Sequence, residues 1–336
     1  PFFLRPVACV LVGSARRKGR WQKMKACRTV SEIVEQIMRT IDDEKCRYPA
    51  DTGAEFFFRG ERKNYDAPRP FGTHFDSFLD RYEGYVRHER DIYEDALRLN
   101  VVTFRDDRTM CDRLARMQHY GFPTRFADIS TNALLSAFFA SGGERADAPA
   151  RDDEDGYIRI LKVARHKMKS FTSDIVTAIA HLPLVDADRI VVSDRRGLGL
   201  EALAYEVENE RAGFRDSPEG GLRHVALSRE LQQVWAFKPV LNNPRIKAQG
   251  GVFFAFGCRD NKAPLRPTFA PEDYENESAP SYGIKQIGHV RIAAEAKKRI
   301  RQELRLFGMP AETVYPELEN VAEELAERYK DENNLE

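Results

Sequence analysis

No stretch of this sequence stays apolar for the roughly 18 residues that a membrane-spanning helix needs. The longest apolar runs, 133–140 and 251–257, are of strand or short-helix length. Net charge is missing as well: 53 Lys and Arg balance 53 Asp and Glu, so any affinity for nucleic acid or membrane has to be local. Cysteine is sparse. Cys9, Cys27, Cys46, Cys111 and Cys258 are odd in number, scattered and never in a Cys-x-x-Cys pair, which argues against a disulfide framework and a cysteine zinc site. The seven histidines show no metal-ligand spacing, so no metal is expected. A reducing, cytoplasmic compartment is the simplest expectation.

Several signatures of known chemistry are also absent. There is no G-x-x-x-x-G-K-[ST] phosphate loop, no H-E-x-x-H, no G-x-S-x-G and no kinase motif set. Gly197-Leu198-Gly199 lacks a third glycine and reads as a turn. No internal repeat is found, and no linker is long enough to force a second domain.

What remains is an ordinary globular balance, 42% hydrophobic and 32% charged over 336 residues, enough to bury a core. Residues 1–23 read as a basic N-terminal extension, with no charged start or cleavage site of an exported leader. Residues 5–28 hold eight basic side chains and no acidic one, a solvated tail or a phosphate-binding arm. Residues 24–336 read as one domain of α+β class, beginning near Met24 and ending in two helices at about 294–307 and 311–330.

Local patterns give the elements. Thr29 to Glu32 has capping-box form, and Ile33, Val34, Ile37, Met38 and Ile41 follow at helical spacing, which predicts a helix ending near Asp42. Glu55 to Gly60 reads as a short aromatic strand stopped by glycine. Residues 75–100 suit a long surface helix or a helix pair, and 107–120 a helix closed by Gly121 and Pro123. Residues 124–129 read as a buried strand, after which Ser130 or Thr131 caps a helix over 132–140. Residues 142–156 read as an exposed acidic loop. Strands are expected at 157–163, 233–238, 251–256 and 286–292, and helices near 171–181 and 200–210.

Two polar clusters stand at element ends, where sites are usually built. One is Phe58-Arg59-Gly60. The other runs from Gln118-His119-Tyr120-Gly121-Phe122-Pro123-Thr124-Arg125 to Ala127-Asp128-Ile129-Ser130-Thr131-Asn132. Each has a structural alternative. Arg59 pairs a core carboxylate or grips a ligand; Gln118 to Tyr120 is a packed helix end or a binding edge; Asp128 and Arg125 form an internal ion pair or face a ligand; Gln249 touches a ligand or satisfies backbone.

With Asn243-Pro244-Arg245 to Phe253 as a third block, these segments resemble in order the FRG-domain family, named for Phe-Arg-Gly, over roughly residues 29–325. Phe126-Ala127 and Ile129 depart from that family's usual leucines and aromatic residue. The order of blocks also resembles ADP-ribosyltransferases. That likeness implies a mixed, largely antiparallel split sheet flanked by helices, NAD as co-substrate, and catalytic roles for Arg59, Ser130, Thr131 and Gln249. It implies cofactor contacts by Arg59, Gly60, Tyr65, Gln118, His119, Tyr120, Thr124, Arg125, Asp128 and Asn132. Gly251 stands where a catalytic glutamate is expected, leaving Glu89, Glu94, Glu201 and Glu206 as candidate acids.

The physics agrees with such roles. A guanidinium clasps a pyrophosphate with a fixed fork of donors, each charge-assisted bond worth about 1.5–3 kcal/mol. Open N–H groups at the start of the helix after Thr131 would hold a ribose hydroxyl or phosphate. The resemblance further implies a toxin-like effector of defence or toxin–antitoxin systems, with a macromolecular acceptor and a neutralising antitoxin partner. The basic extension and the arginines of 105–125 favour RNA or DNA as acceptor. The acidic C-terminal residues offer a docking face for the partner. A nucleotide-binding module without catalysis and an NAD glycohydrolase remain alternatives.

Overall fold

The computed structural model describes residues 25–67, 72, 75–143, 152–192, 200–210 and 227–316. The features expected at residues 1–23, 197–199 and 144–151, and the C-terminal helix expected from 317 onward, lie outside the described residues.

Helix α1 (Val30–Arg47) opens as its sequence suggests, the Thr29 hydroxyl accepting the N–H of Glu32. The Glu32 carboxylate reaches back to the N–H of Arg28, at 2.6 Å, instead of that of Thr29. Val30, Ile33, Ile37 and Ile41 form its buried stripe. It continues past Asp42 because Glu44 is buried and ion-paired with Lys162 at 3.1 Å and Lys285 at 2.8 Å. Apolar periodicity does not reveal such an anchor.

Strand β1 (Glu55–Glu61) follows, and the 75–100 segment resolves into a helix pair, α2 (Glu83–Arg87) and α3 (Glu89–Leu99). Helix α4 (Met110–His119) begins at a Thr109/Asp112 capping box and ends before Gly121, whose φ of +82° favours glycine. Strand β2 (Phe126–Ser130) leads into α5 (Ala133–Ala140). The cap of α5 is Asn132, not Ser130 or Thr131: the Asn132 Oδ1 accepts from the N–H groups of Leu134 and Leu135. Then come β3 (Gly156–Val163), β4 (Met168–Ser170), α6 (Asp174–His181), α7 (Glu201–Glu210) and β5 (Val234–Lys238). Helix α8 (Pro244–Ala248), β6 (Gly251–Phe256), β7 (Ile284–Ile292), α9 (Lys297–Leu306) and α10 (Ala311–Val314) complete the order.

The strands form one sheet in the order β4-β5-β6-β2-β1-β3-β7, antiparallel throughout except for the parallel β4–β5 pair. Alternation along the strands sends apolar side chains to both faces. On one face, α3, α4, α6 and α7 pack with Phe126, Phe237, Phe253 and Ala255 at one end. On the same face at the other end, α1, α5 and α9 pack with Phe58, Ile158, Ile160 and Val290. The opposite face buries Phe57, Ile129, Leu161, Val252 and Phe254 beneath Phe75, Leu265 and Phe269. Among the described residues no helix is long and apolar enough to cross a membrane.

Helix α5 lies directly on the strand backbone. A Cβ added at Gly60 would stand 2.0 Å from the carbonyl oxygen of Ser136, and one at Gly156 would stand 1.9 Å from that of Ala140. The glycine of Phe-Arg-Gly is thus a packing requirement, since only hydrogen fits between β1 and α5. Gly60→Ala is therefore expected to destabilise the fold by about 3 kcal/mol or more, because the clash is with backbone and no rotamer relieves it. Urea unfolding checks this, and a loss within about 0.5 kcal/mol, the range of ordinary surface changes, would contradict it.

Candidate functional site

Strand β1 pairs with β3 along its whole length but meets β2 at one register position, Phe58 opposite Ser130. Beyond that point the two strands part, and facing backbone groups lose their ladder partners. Arg59 spans the gap. Its Nη1 donates to the Asp128 carbonyl at 2.6 Å, in the place of a strand N–H. A cavity of about 750 Å³ opens along this fork, walled by Phe58 and Arg59 from the two faces of β1 and by Asp128 and Ile129 from the two faces of β2.

One end of the cavity is cationic. The Arg59 side chain is 21% exposed, and its Nε lies 3.5 Å from Oε1 of Glu61. Arg159 holds Glu61 through Nε at 2.9 Å, and reaches Gln286 at 3.0 Å and Asp66 at 3.3 Å. The guanidinium carbons of Arg59 and Arg159 stand 5.4 and 5.3 Å from the Phe75 ring centre. Arg81 lies 4.2 Å over Phe78 and 5.7 Å over Tyr65. Burial, and then the Arg59 charge, weaken the hold of Arg81 on its proton. Two guanidinium groups that disfavour each other inside one cavity favour an anion between them. Six basic side chains (Arg59, Arg62, Lys63, Arg81, Arg159 and Arg245) face four acidic ones (Glu61, Asp66, Asp76 and Asp128) along the walls.

The other end is polar and aromatic. Gln118 Nε2 donates to Asp128 Oδ2 at 3.1 Å, while Gln118 Oε1 accepts the Thr124 hydroxyl at 2.7 Å. His119 is buried, edge-on to Phe253, with Nδ1 3.3 Å from Asp128 Oδ1. Ser130 Oγ donates to the Gln249 carbonyl and accepts the N–H of Asn132. Gln249 Nε2 donates to the Val314 carbonyl at 3.3 Å. Arg245 lies 4.7 Å over Tyr315 and 5.6 Å over Tyr120, closing that side.

The structure therefore brings Arg59, Gly60, Tyr65, Gln118, His119, Tyr120, Asp128, Ser130 and Gln249 to one cavity. Thr124, Arg125, Thr131 and Asn132 do not line it. Arg125 is fully buried, its Nε and Nη2 donating to the two oxygens of Glu89 at 2.6 and 2.8 Å, with a further bond to the Lys262 carbonyl. It is a core ion pair, and its partner is Glu89, not Asp128. Thr124 orients Gln118 from behind the wall. Thr131 is exposed outside the cavity, and Asn132 is spent capping α5, so the expected open N–H groups there are already taken.

The four acids considered from the sequence are elsewhere: Glu89 lies in the core, Glu94 on Arg90, and Glu201 and Glu206 on α7. Of the arginines expected to favour nucleic acid, Arg116 is bound to buried Asp107 at 2.7 Å and Arg125 to Glu89, so neither is available to phosphates. Glu61, Arg81, Arg159 and Tyr315 line the cavity without having been singled out from the sequence. One signal was available: a charge such as Arg159 inside an apolar strand demands a buried partner. Among the described residues no group of three or more His, Cys, Asp or Glu is placed to hold a metal ion.

A family model of the FRG domain matches residues 54–148, the segment from β1 to α5 that carries both sides of the fork. The match shows an FRG domain over those residues. No curated protein and no solved structure matches the chain.

Two outcomes separate scaffold from site. Arg125→Ala strands buried Glu89 and is expected to cost about 3–5 kcal/mol. Arg59→Ala, whose carbonyl partner gains cavity water, should cost no more than about 1.5 kcal/mol. Denaturant unfolding of both variants checks the contrast, and equal losses would contradict it.

Buried His289, opposite Arg159 in the ladder, is held down at about 4 by burial and then by the charges of Arg159 and Arg291. The unfolded chain takes up this proton near 6.5, the folded chain only near 4, so the unfolded state binds more protons between them. This contribution to stability is complete above pH 6.5 and shrinks as pH falls towards 4. In His289→Gln the difference in unfolding free energy between about pH 7.5 and about pH 4.5 should narrow. An unchanged difference would contradict the assignment.

Proposed function

We propose that this protein is an NAD-dependent ADP-ribosyltransferase that modifies a macromolecule, with RNA favoured as acceptor over DNA and protein. The observation that carries the reading is the Arg59 guanidinium held at the fork of a split sheet, inside a cavity with a cationic end and an aromatic end. Its volume, about 750 Å³, falls within the roughly 300–1,000 Å³ of small-molecule sites. Two donors of Arg59 are engaged, with Asp128 and Glu61, and Nη2 remains for a phosphate oxygen. Arg81 adds a second charge beside it.

Tyr65, His119 and Tyr120 wall the cavity with rings suited to nicotinamide or adenine. Transfer breaks the bond between the ribose C1′ and the nicotinamide nitrogen, and the bonding pair leaves with nicotinamide. An acceptor nucleophile then bonds to C1′ as its own proton is removed. The cation-like ribose in between gains from a nearby anionic oxygen.

Tyr82 is 62% exposed, Tyr65 is 47% exposed, and both stand with Arg62 and Arg81 on the cavity wall. Stacking rings interleaved with cations suit an unpaired nucleic-acid strand. A toxin-like effector role belongs to this reading, and with it a neutralising partner protein.

Incubation with NAD labelled in its ADP-ribose part, together with RNA, DNA and protein, tests the proposal. The expected result is label on RNA in the wild type. Arg59→Ala and Arg59→Lys should each reduce it at least ~100-fold, since lysine offers a point charge without the planar fork. Release of free ADP-ribose alone would make the protein a glycohydrolase, and NAD binding without turnover would make it a non-catalytic module.

A further inference from the structure

Resting on the reading above, we infer that Asp128 is the catalytic carboxylate of this site. It would stabilise the cationic ribose and take the acceptor's proton, with Thr124, Gln118 and His119 as its positioning residues. The need for such a group is set by Gly251, which supplies no carboxylate. A Cβ there would stand 3.3 Å from Ile246 and 3.4 Å from Nε2 of His119, so a side chain at this position would press on both. The acid must come from another wall.

Among the described residues four carboxylates line the cavity. Glu61 is ion-paired to Arg159 at 2.9 Å and to Arg59 at 3.5 Å, and Asp66 to Arg159 at 3.3 Å, so both belong to the cationic end. Asp76 is exposed and adjoins Phe75, the ring beneath the Arg59 and Arg159 guanidinium groups, which places it at the cationic end. Asp128 alone among them stands at the polar end without an arginine or lysine partner in its carboxylate's surroundings. Its side chain is 36% exposed, so one oxygen is open to the cavity while Oδ1 is buried against His119.

The carboxylate is held by a hydrogen bond at Oδ2, while Oδ1 is buried without a hydrogen-bond partner. The Thr124 hydroxyl can only donate to the amide oxygen of Gln118, which turns the Gln118 NH2 towards Asp128 Oδ2. Behind it, His119 Nδ1 stands 3.3 Å from Oδ1. The main chain of the same residue is fixed by Arg59, whose Nη1 holds the Asp128 carbonyl. One residue thus receives the phosphate-gripping arginine on its backbone and the Gln118-His119 pair on its side chain. The spacing of Gln118-His119 to Thr124 to Asp128 gains a purpose it lacks as a helix ending alone: α4 presents two polar groups to one carboxylate on β2.

In the step itself, the C1′–nicotinamide bond breaks with its electron pair leaving on nicotinamide. The carboxylate of Asp128 faces the positive C1′, the acceptor's oxygen or nitrogen bonds to C1′, and its proton passes to Asp128 and then to solvent. No electron is gained or lost.

The test is Asp128→Asn, which keeps size and the capacity to accept from Gln118 but removes the charge. NAD turnover and affinity are measured separately, with Glu61→Gln and Thr124→Val in parallel. In D128N, turnover should fall at least ~100-fold while NAD affinity stays within about threefold. Thr124→Val, which frees the Gln118 amide and also removes the acceptor of the Phe126 N–H while leaving the cavity lining unchanged, should lower turnover about 5- to 50-fold at constant affinity. If D128N fails to fold, T124V decides: unchanged turnover in it overturns the inference. Turnover in D128N within about fivefold of wild type, or a loss confined to E61Q, overturns it as well. A wild type that neither transfers nor hydrolyses NAD overturns the proposed function itself, and this inference with it.

Discussion

The site depends on one hydrogen bond, from the Arg59 guanidinium to the Asp128 carbonyl across the fork between β1 and β2. A sheet that is continuous through its centre has no room for a ligand, and one that splits leaves backbone groups without partners. A side chain that replaces a strand donor resolves both demands. The split stays open, the exposed carbonyl is satisfied, and a cation is left at the opening. Arginine suits this place because its fork bonds the carbonyl and still leaves donors facing the opening, which a single ammonium does not do with the same geometry.

The buried ion pairs elsewhere hold the walls of that opening. Glu89 on α3 joins Arg125 at the start of β2 and Lys262 beyond β6, fixing one side. Arg159 on β3 joins Glu61 at the end of β1 and Asp66 beyond it, fixing the other. Each places full charges in the interior, where they are tolerable only as ion pairs. The packing of α5 onto Gly60 and Gly156 sets the third wall, by backbone contact instead of charge. The Phe-Arg-Gly tripeptide thus combines three functions in consecutive positions: a core ring, a bridging cation and a space for a helix.

Much of this was readable from residue order. Periodicity and caps located most helices and strands, because amphipathic stripes and glycine stops act locally. The polar clusters at Phe58 to Gly60 and Gln118 to Ser130 do meet at one cavity. Misplacements have a common cause, which is that pairing partners distant in sequence decide a polar residue's role. Arg125 looks like Arg59 in sequence, both ending or beginning a strand, yet one meets Glu89 in the core and the other meets a carbonyl at a fork. Asn132, Thr131 and Ser130 are all competent caps, and only the path of the turn decides that Asn132 takes the two N–H groups. The short strand β4 and helix α8 escaped notice because three and five residues carry too little periodicity, although Asn243-Pro244 is a fair helix start.

The most direct test of this account is a crystal structure of the chain with a non-hydrolysable NAD analogue. The account predicts the pyrophosphate against Arg59 in the fork, with the nicotinamide ribose turned towards Asp128 and Gln118. An analogue bound away from the fork, or lying there with its phosphates remote from Arg59, would contradict it.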